Sequence, residues 1–159
     1  MDFWPGHLRD AIEPVNARIY DTFNNGVYRS GFATSQHAYD EAVTTLFDTL
    51  DWLEDRLSSH RYLMGDQITE ADWRLFPTLV RFDNVYHLHF KCNRRRIIDY
   101  PNLWAYTREL YQWPQVAKTV NMSHIIRHYH FSHESINPHR IIPINPHLDF
   151  LEPHNRDQG

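Results

Sequence analysis

Cysteine and glycine are both scarce in this chain. Cys92 is the only cysteine in 159 residues, which excludes a disulfide framework and a cysteine-ligated zinc finger. The five glycines form neither a GxGxxG nor a GK[ST] phosphate-binding loop, which argues against the common nucleotide-binding enzymes. The amino terminus has neither the basic start nor the apolar core of a signal peptide, and no run approaches the ~20 apolar residues of a membrane span. We therefore expect a cytoplasmic protein that does not contact membranes.

An excess of basic charge is also lacking. Lys and Arg number 16 against 20 Asp and Glu, and the formal net charge is -4. Nucleic-acid binding needs a basic excess on at least one face, and the run Arg94–Arg96 is too short to supply it. Apolar residues make up 42% and aromatic residues 14% of the chain, which predicts one well-packed globular domain and no nucleic-acid partner.

Apolar residues recur at three- and four-residue steps over most of the chain, as on the buried face of a helix. This pattern predicts helices over about 8–23, 35–59, 103–111 and 122–130, a short one over 113–120, and an irregular segment over 27–32. No segment shows the sustained alternation of a strand. Residues 1–131 are therefore expected to form an all-α domain.

Another helix has the clearest start signal in the sequence. Thr69-Glu70-Ala71-Asp72 fits a capping box, in which Thr69 is the N-cap and the Asp72 carboxylate accepts from the Thr69 amide. We interpret Thr69 and Asp72 as a structural pair that starts a helix, and not as part of a catalytic carboxylate pair.

Prolines dominate the last part of the chain. Pro138, Pro143, Pro146 and Pro153 forbid long regular elements there. The same segment holds several aliphatic and aromatic side chains, which predicts an extended tail over 132–159 packed on the helical domain.

Histidines are abundant, with 12 in the chain. His124 and His128 have the i, i+4 spacing that places two imidazoles on one helix face, and His130 and His133 follow. No HExxH motif and no evident third ligand accompany them, so we assign no metal site. A histidine-rich metal-binding protein remains the weakest of the alternatives.

Five short segments together resemble one known family. They are NNGVY at 24–28, TEAD at 69–72, VRFD at 80–83, HFKC at 89–92 and SINP at 135–138. The chain resembles the C-terminal helical domain of the glutathionyl-hydroquinone reductases, the Xi class of the glutathione transferase superfamily. TEAD is common to the superfamily, whereas the other segments are more specific to this class.

The resemblance implies a fold, an activity and two site residues. The implied fold is a glutathione transferase C-terminal-like helical bundle, which contributes the substrate pocket and the homodimer surface. The implied reaction is the glutathione-dependent reduction of glutathionyl-hydroquinones, with glutathione as co-substrate. Tyr28 and Tyr129 match the family's pocket tyrosines, whose hydroxyls bind the quinol oxygens. Read without the family, each would more simply be an interfacial tyrosine that satisfies its own hydroxyl.

The family's nucleophile has no counterpart in this sequence. It is a cysteine in a Cys-Pro-Trp-Ala motif of an N-terminal thioredoxin-like domain, which also holds most of the glutathione site, and Cys92 has different neighbours. We therefore expect the isolated chain to be inactive and to require no cofactor. The alternative function is a stand-alone, non-enzymatic interaction domain of the glutathione transferase type.

Overall fold

The computed structural model describes residues 1–157, and this part of the chain is helical. The α-helices are α1 (Arg9–Ile19), α2 (Gly26–Gly31), α3 (Gln36–Ser59), α4 (Glu70–Arg81), α5 (His87–His89), α6 (Pro101–Tyr111) and α7 (Met122–Ser132). Within residues 1–157 the only β-type pairing is an isolated bridge between Tyr62 and Gly65. The predicted all-α fold is confirmed.

Two π-helical segments extend α1 and α4. Residues Tyr20–Asn24 continue α1, and Phe82–Tyr86 continue α4 into α5. A π turn inserts one extra residue into the helical hydrogen-bond pattern, and such turns are frequent at functional sites. Here the first π segment precedes α2, which carries Tyr28, and the second itself carries Tyr86; both tyrosines belong to the site described below.

The segment after α1 differs from the sequence-based prediction. Residues 27–32 were expected to be irregular, because Asn24, Asn25 and Gly26 tolerate turn geometry. The structure instead starts α2 at Gly26, and the helix packs along α3, where a Cβ at Gly26 would lie 3.6 Å from the Leu46 side chain. Tertiary packing against α3 therefore overrides the weak helix propensity of Asn-Asn-Gly.

The predicted helix starts at Ser35 and Thr69 are present. The Ser35 hydroxyl accepts from the Ala38 amide at 3.1 Å and begins α3. The capping box at Thr69–Asp72 begins α4, and the Asp72 carboxylate accepts from the Thr69 amide at 2.8 Å. That carboxylate is fully buried and also accepts from the Leu63 amide and the Tyr106 hydroxyl. Asp72 thus joins α4, α6 and the loop before α4.

The predicted short helix over 113–120 is only partly present. Turns precede a single 3-10 turn at Ala117–Thr119. The last helix, α7, begins at Asn121, whose side chain accepts from the His124 amide, and runs two residues further than predicted.

The segment after Ser132 has no helix or strand in the described residues and contacts the helical body mainly near its end. Phe150 is buried against Tyr111 and Trp104, and Arg156 pairs with the buried Glu109 at 3.0 Å. Packing of the whole segment on the helical domain stays a prediction, and several of its apolar side chains are exposed: Ile141, Ile142, Ile144 and Leu151.

None of the helices in residues 1–157 combines the length and the apolar character needed to cross a membrane.

Candidate functional site

Three tyrosine hydroxyls meet at one point on the helical body. The Tyr129 hydroxyl lies 2.8 Å from the Tyr28 hydroxyl and 2.7 Å from the Tyr86 hydroxyl. The three residues come from α2, from the π segment after α4, and from α7, and 101 residues separate the first from the last. We call Tyr28, Tyr86 and Tyr129 the tyrosine trio. The structure therefore brings the two sequence-predicted residues together and adds a third.

Burial is graded along the tyrosine trio. Tyr86 is 3% exposed, Tyr129 is 7% exposed and Tyr28 is 39% exposed. Phe32, one turn after Tyr28, is also exposed and widens the apolar surface at that end. The trio therefore opens at Tyr28, with the other two hydroxyls behind it.

The three hydroxyls have one O–H donor more than the hydrogen bonds between them require. Three phenol groups carry three protons, and two shared hydrogen bonds use two of them. The Tyr86 hydroxyl bonds to the Tyr129 hydroxyl at 2.7 Å, and a buried donor without an acceptor is costly. The favoured order is therefore that Tyr86 donates to Tyr129 and Tyr129 donates to Tyr28. The spare O–H then lies at Tyr28, where a ligand oxygen can accept it.

Burial keeps the inner hydroxyls neutral. It raises the pKa of Tyr129 to about 12, and the charge of Arg81 only partly opposes this change. Burial also raises the pKa of Tyr86, and its bond to Tyr129 adds to the effect. At neutral pH Tyr86 and Tyr129 are therefore hydrogen-bond donors and not bases, which suits a chain of hydroxyls that ends at a ligand oxygen gaining negative charge.

Asp83 fixes the π segment that carries Tyr86. Its buried carboxylate accepts from the amides of Ile97 and Ile98, at 2.6 and 3.0 Å, and so holds the short 3-10 turn that follows. Burial raises the pKa of this carboxyl to about 6, although both hydrogen bonds oppose the rise. Asp83 therefore has a structural task here, away from the three hydroxyls.

Tyr86 was missed in the sequence because it reads as a core residue. It lies in the apolar stripe that continues α4, and a buried aromatic at helical spacing usually only packs. No sequence signal separates it from a packing residue, since its i, i+4 spacing from Phe90 is equally typical of a core stripe, and the two rings do stack with centroids 5.5 Å apart.

A group of histidines lies behind the trio. His89 Nε2 is 2.9 Å from His133 Nδ1, and the rings of His89 and His130 are 4.7 Å apart between centroids. The predicted spacing of His124 and His128 has no part in these two contacts. Among residues 1–157, no three side chains of His, Cys, Asp or Glu are arranged to hold a metal ion.

Cys92 is buried, and its burial raises the pKa of the thiol to about 12. A thiol acts as a nucleophile through its thiolate, which this environment suppresses. The other sequence-predicted pair, Thr69 and Asp72, forms the start of α4 and shares no hydrogen bond with the trio.

Comparison with known proteins supports one family. Residues 36–109 match the family described as glutathione S-transferase, C-terminal domain. Glutathionyl-hydroquinone reductase PcpF of Sphingobium chlorophenolicum is 57% identical over 145 residues, which are 91% of this chain and 46% of that protein. Glutathionyl-hydroquinone reductase YqjG of Escherichia coli is 56% identical over 156 residues, 98% of this chain and 48% of YqjG.

Solved structures agree with this result. The glutathione-bound structure of YqjG superposes with a TM-score of 0.97 at 56% identity, covering 99% of this chain and 51% of that one. The Xi-class glutathione transferase of Natrialba magadii gives a TM-score of 0.97 at 51% identity, covering 99% and 48%. This chain spans about half the length of the curated relatives it matches. By its helical bundle and by its sequence, the chain belongs to the glutathione S-transferase family, within which it matches the C-terminal domain of the Xi-class glutathionyl-hydroquinone reductases.

Proposed function

We propose that this chain forms the quinol-binding part of a glutathionyl-hydroquinone reductase, in which the outward hydroxyl of the tyrosine trio binds a quinol oxygen. The observation that carries the proposal is the hydrogen-bonded chain of Tyr28, Tyr129 and Tyr86, which leaves one O–H for an external acceptor. The names of the relatives supply the substrate class. The alternative of a non-enzymatic interaction domain has no comparable observation in its favour.

The proposed reaction transfers the glutathionyl group from the ring to a thiol and releases the hydroquinone. The attacking thiolate is a cysteine of the thioredoxin-like domain that the resemblance implies. It forms a mixed disulfide with the glutathionyl sulfur as the bond from that sulfur to the ring breaks, and the ring carbon takes up a proton. A second glutathione then attacks the mixed disulfide, which restores the cysteine and releases glutathione disulfide. As the bond between the ring and the sulfur breaks, electron density moves onto the ring and its oxygens. A neutral phenol donor that strengthens its hydrogen bond at this moment stabilises the transition state more than the bound substrate.

The outward hydroxyl of Tyr28 and the Tyr129 hydroxyl that donates to it are tested by removing each one. In a protein that joins this chain to the amino-terminal part of YqjG, Tyr28→Phe and Tyr129→Phe should each lower turnover about 10- to 100-fold. This range follows from a hydrogen bond to a charged group, which contributes about 1.5–3 kcal/mol. The assay measures release of hydroquinone from glutathionyl-menadione.

Two further variants separate this role from simple packing. Tyr86→Phe removes the innermost hydroxyl but keeps the outward donor, so turnover should change much less than in Tyr28→Phe. Tyr20→Phe alters an exposed tyrosine outside the trio and serves as the matched control. Full turnover in the Tyr28→Phe, Tyr129→Phe double variant would refute the proposal.

Stability should distinguish the two active-site changes. Tyr28 is partly exposed, so water can replace its hydroxyl as the acceptor of the Tyr129 O–H, and Tyr28→Phe should leave thermal stability nearly unchanged. Tyr129→Phe removes the acceptor of the buried Tyr86 hydroxyl, and a buried orphan donor costs about 1–3 kcal/mol. A small loss of stability is therefore expected in Tyr129→Phe alone.

A further inference from the structure

One buried ring contacts all three members of the tyrosine trio. Phe90 is fully buried, and its centroid lies 5.3 Å from that of Tyr28, 5.5 Å from that of Tyr86 and 6.1 Å from that of Tyr129. It is stacked on Tyr86 and meets Tyr129 edge-on, at interplanar angles of 15° and 83°. The position of this single ring therefore sets the depth and tilt of the three tyrosine rings.

Gly31 lies directly against that ring. A Cβ at residue 31 would be 2.2, 2.3 and 2.7 Å from three side-chain atoms of Phe90, closer than real Cβ contacts allow. Gly31 has no positive φ, so what the position requires is the space that glycine leaves free. It ends α2, three residues after Tyr28, so the approach of α2 to Phe90 also determines where Tyr28 stands.

The Phe90 ring has little room to move away. His133 stacks on it with centroids 5.6 Å apart, and Phe32 and His89 contact it at 5.4 and 5.1 Å. Its backbone is fixed as well, because the amides of Phe90 and Cys92 both donate to the Tyr86 carbonyl. A methyl group at residue 31 would have to displace the ring or α2 by about 1 Å to reach an ordinary contact distance.

We propose that Phe90, seated against Gly31, is the positioning residue that holds the hydroxyls of Tyr28 and Tyr129 within hydrogen-bond distance. The expected loss of turnover rests on the proposed function. The expected change in the hydroxyl positions does not. A hydrogen bond of 2.8 Å between these hydroxyls weakens steeply once the oxygens separate beyond about 3.2 Å. A shift of about 1 Å in α2 relative to the ring is therefore enough to separate the outward donor from the rest of the trio.

Gly31→Ala tests the geometry, with Gly26→Ala as its matched control. Gly26 begins the same helix, and a Cβ there would meet Leu46 at an ordinary 3.6 Å. In crystal structures of the two variants, the oxygens of Tyr28 and Tyr129 should lie more than about 3.5 Å apart in Gly31→Ala and stay bonded in Gly26→Ala. A folded Gly31→Ala variant that keeps this hydrogen bond overturns the inference.

If Gly31→Ala does not fold, a second variant and its control test the positioning role of Phe90. Phe90→Leu removes the ring without a clash, and Phe47→Leu makes the same change at a fully buried phenylalanine that stacks on none of the trio. Both should lose similar stability, but only Phe90→Leu should separate the hydroxyls. Unchanged hydroxyl positions in Phe90→Leu also overturn the inference.

Turnover separates this inference from the proposed function. In the protein joined to the amino-terminal part of YqjG, Gly31→Ala and Phe90→Leu should lower kcat about 10- to 100-fold with a smaller change in KM, because a misplacement of about 1 Å has effects of this size. The Gly26→Ala and Phe47→Leu controls should keep the parent kcat. If the hydroxyls separate while kcat stays the same, the positioning role stands and the proposed function fails. If they do not separate, the positioning role fails whatever the activity.

Discussion

At the scale of single residues, Thr69 and Asp72 have unequal roles although they belong to one capping box. The Thr69 hydroxyl serves only this helix start, where it also donates to the Asp72 carboxylate at 3.2 Å. Asp72 accepts in addition from the Leu63 amide at 2.9 Å and from the Tyr106 hydroxyl at 2.7 Å. Burial raises the pKa of Asp72, and these hydrogen bonds oppose the rise. Removing the Asp72 side chain should therefore destabilise the protein more than removing that of Thr69.

We expect Thr69→Ala to lower the free energy of unfolding by about 1–2 kcal/mol, the usual cost of a lost N-cap. Asp72→Ala should lower it by more than about 3 kcal/mol, because several buried donors lose their acceptor. Ser35→Ala, at the exposed N-cap of α3, is the control and should cost about 1 kcal/mol or less. Urea unfolding measures all three, and equal midpoints for Thr69→Ala and the parent would contradict the assigned helix start.

At the scale of elements, the junction between α5, α7 and the following segment depends on neutral histidines. Burial lowers the pKa of His89 to about 4, and the nearby charges of His130, His133 and Lys91 add to the effect. Burial, with the charges of His128 and His130, also lowers the pKa of His133. These imidazoles pack against Phe90, so their ionisation state affects the support of the tyrosine trio.

The folded protein should lose stability below about pH 6.5, the ordinary pKa of histidine. His89 binds its proton less tightly in the folded state, so its contribution is complete above this pH and disappears toward pH 4. Between pH 7.5 and pH 5 the free energy of unfolding of the parent should fall by about 2 kcal/mol more than that of His89→Gln, because the glutamine has no proton to gain. The pKa of Asp83 is raised to about 6, so this carboxyl makes the folded state more stable as the pH falls. Its contribution is the same in both proteins and cancels in the comparison. Urea unfolding at pH 7.5 and 5 tests this, and an equal pH dependence in the two proteins would refute it.

At the scale of the whole molecule, two features bear on activity and assembly. The only thiol is buried behind the helical surface, and the tyrosine trio opens outward at Tyr28. Several apolar side chains remain exposed, among them Phe32, Leu88, Ile141 and Ile144. Where such side chains form one continuous patch, the patch is typical of a contact site with another domain or with a second copy.

The chain as printed should not reduce glutathionyl-menadione. The reaction needs a thiolate, and the high pKa of Cys92 leaves almost none at neutral pH. Hydroquinone release should match that of buffer with glutathione alone. Turnover above this background that disappears in Cys92→Ala would show that the buried thiol reacts.

The homodimer implied by the family resemblance remains a prediction. Exposed apolar side chains favour association, so light scattering at micromolar concentration should give a mass of about twice 19.2 kDa or more. A monomer mass over the same concentration range would count against the dimer.

Much of the fold could be predicted from the sequence because helix signals are local. Periodic apolar residues and the capping box at Thr69–Asp72 predicted helix positions close to those observed. The exceptions lie where packing competes with local preference. α2 forms despite Asn-Asn-Gly because α3 supports it, and the π turns are visible only in the hydrogen-bond pattern.

The sequence by itself determined the helical class and the main helix starts, and through the family resemblance it predicts Tyr28 and Tyr129 as site residues. Only the tertiary structure decided that their hydroxyls meet, that Tyr86 completes the chain behind them, and that Phe90 supports all three against Gly31. The physical reason is the range of the interactions. Caps and helix periodicity act over three or four residues, whereas the hydroxyl contacts join positions 43 and 101 residues apart, which only the packing of the helices brings together.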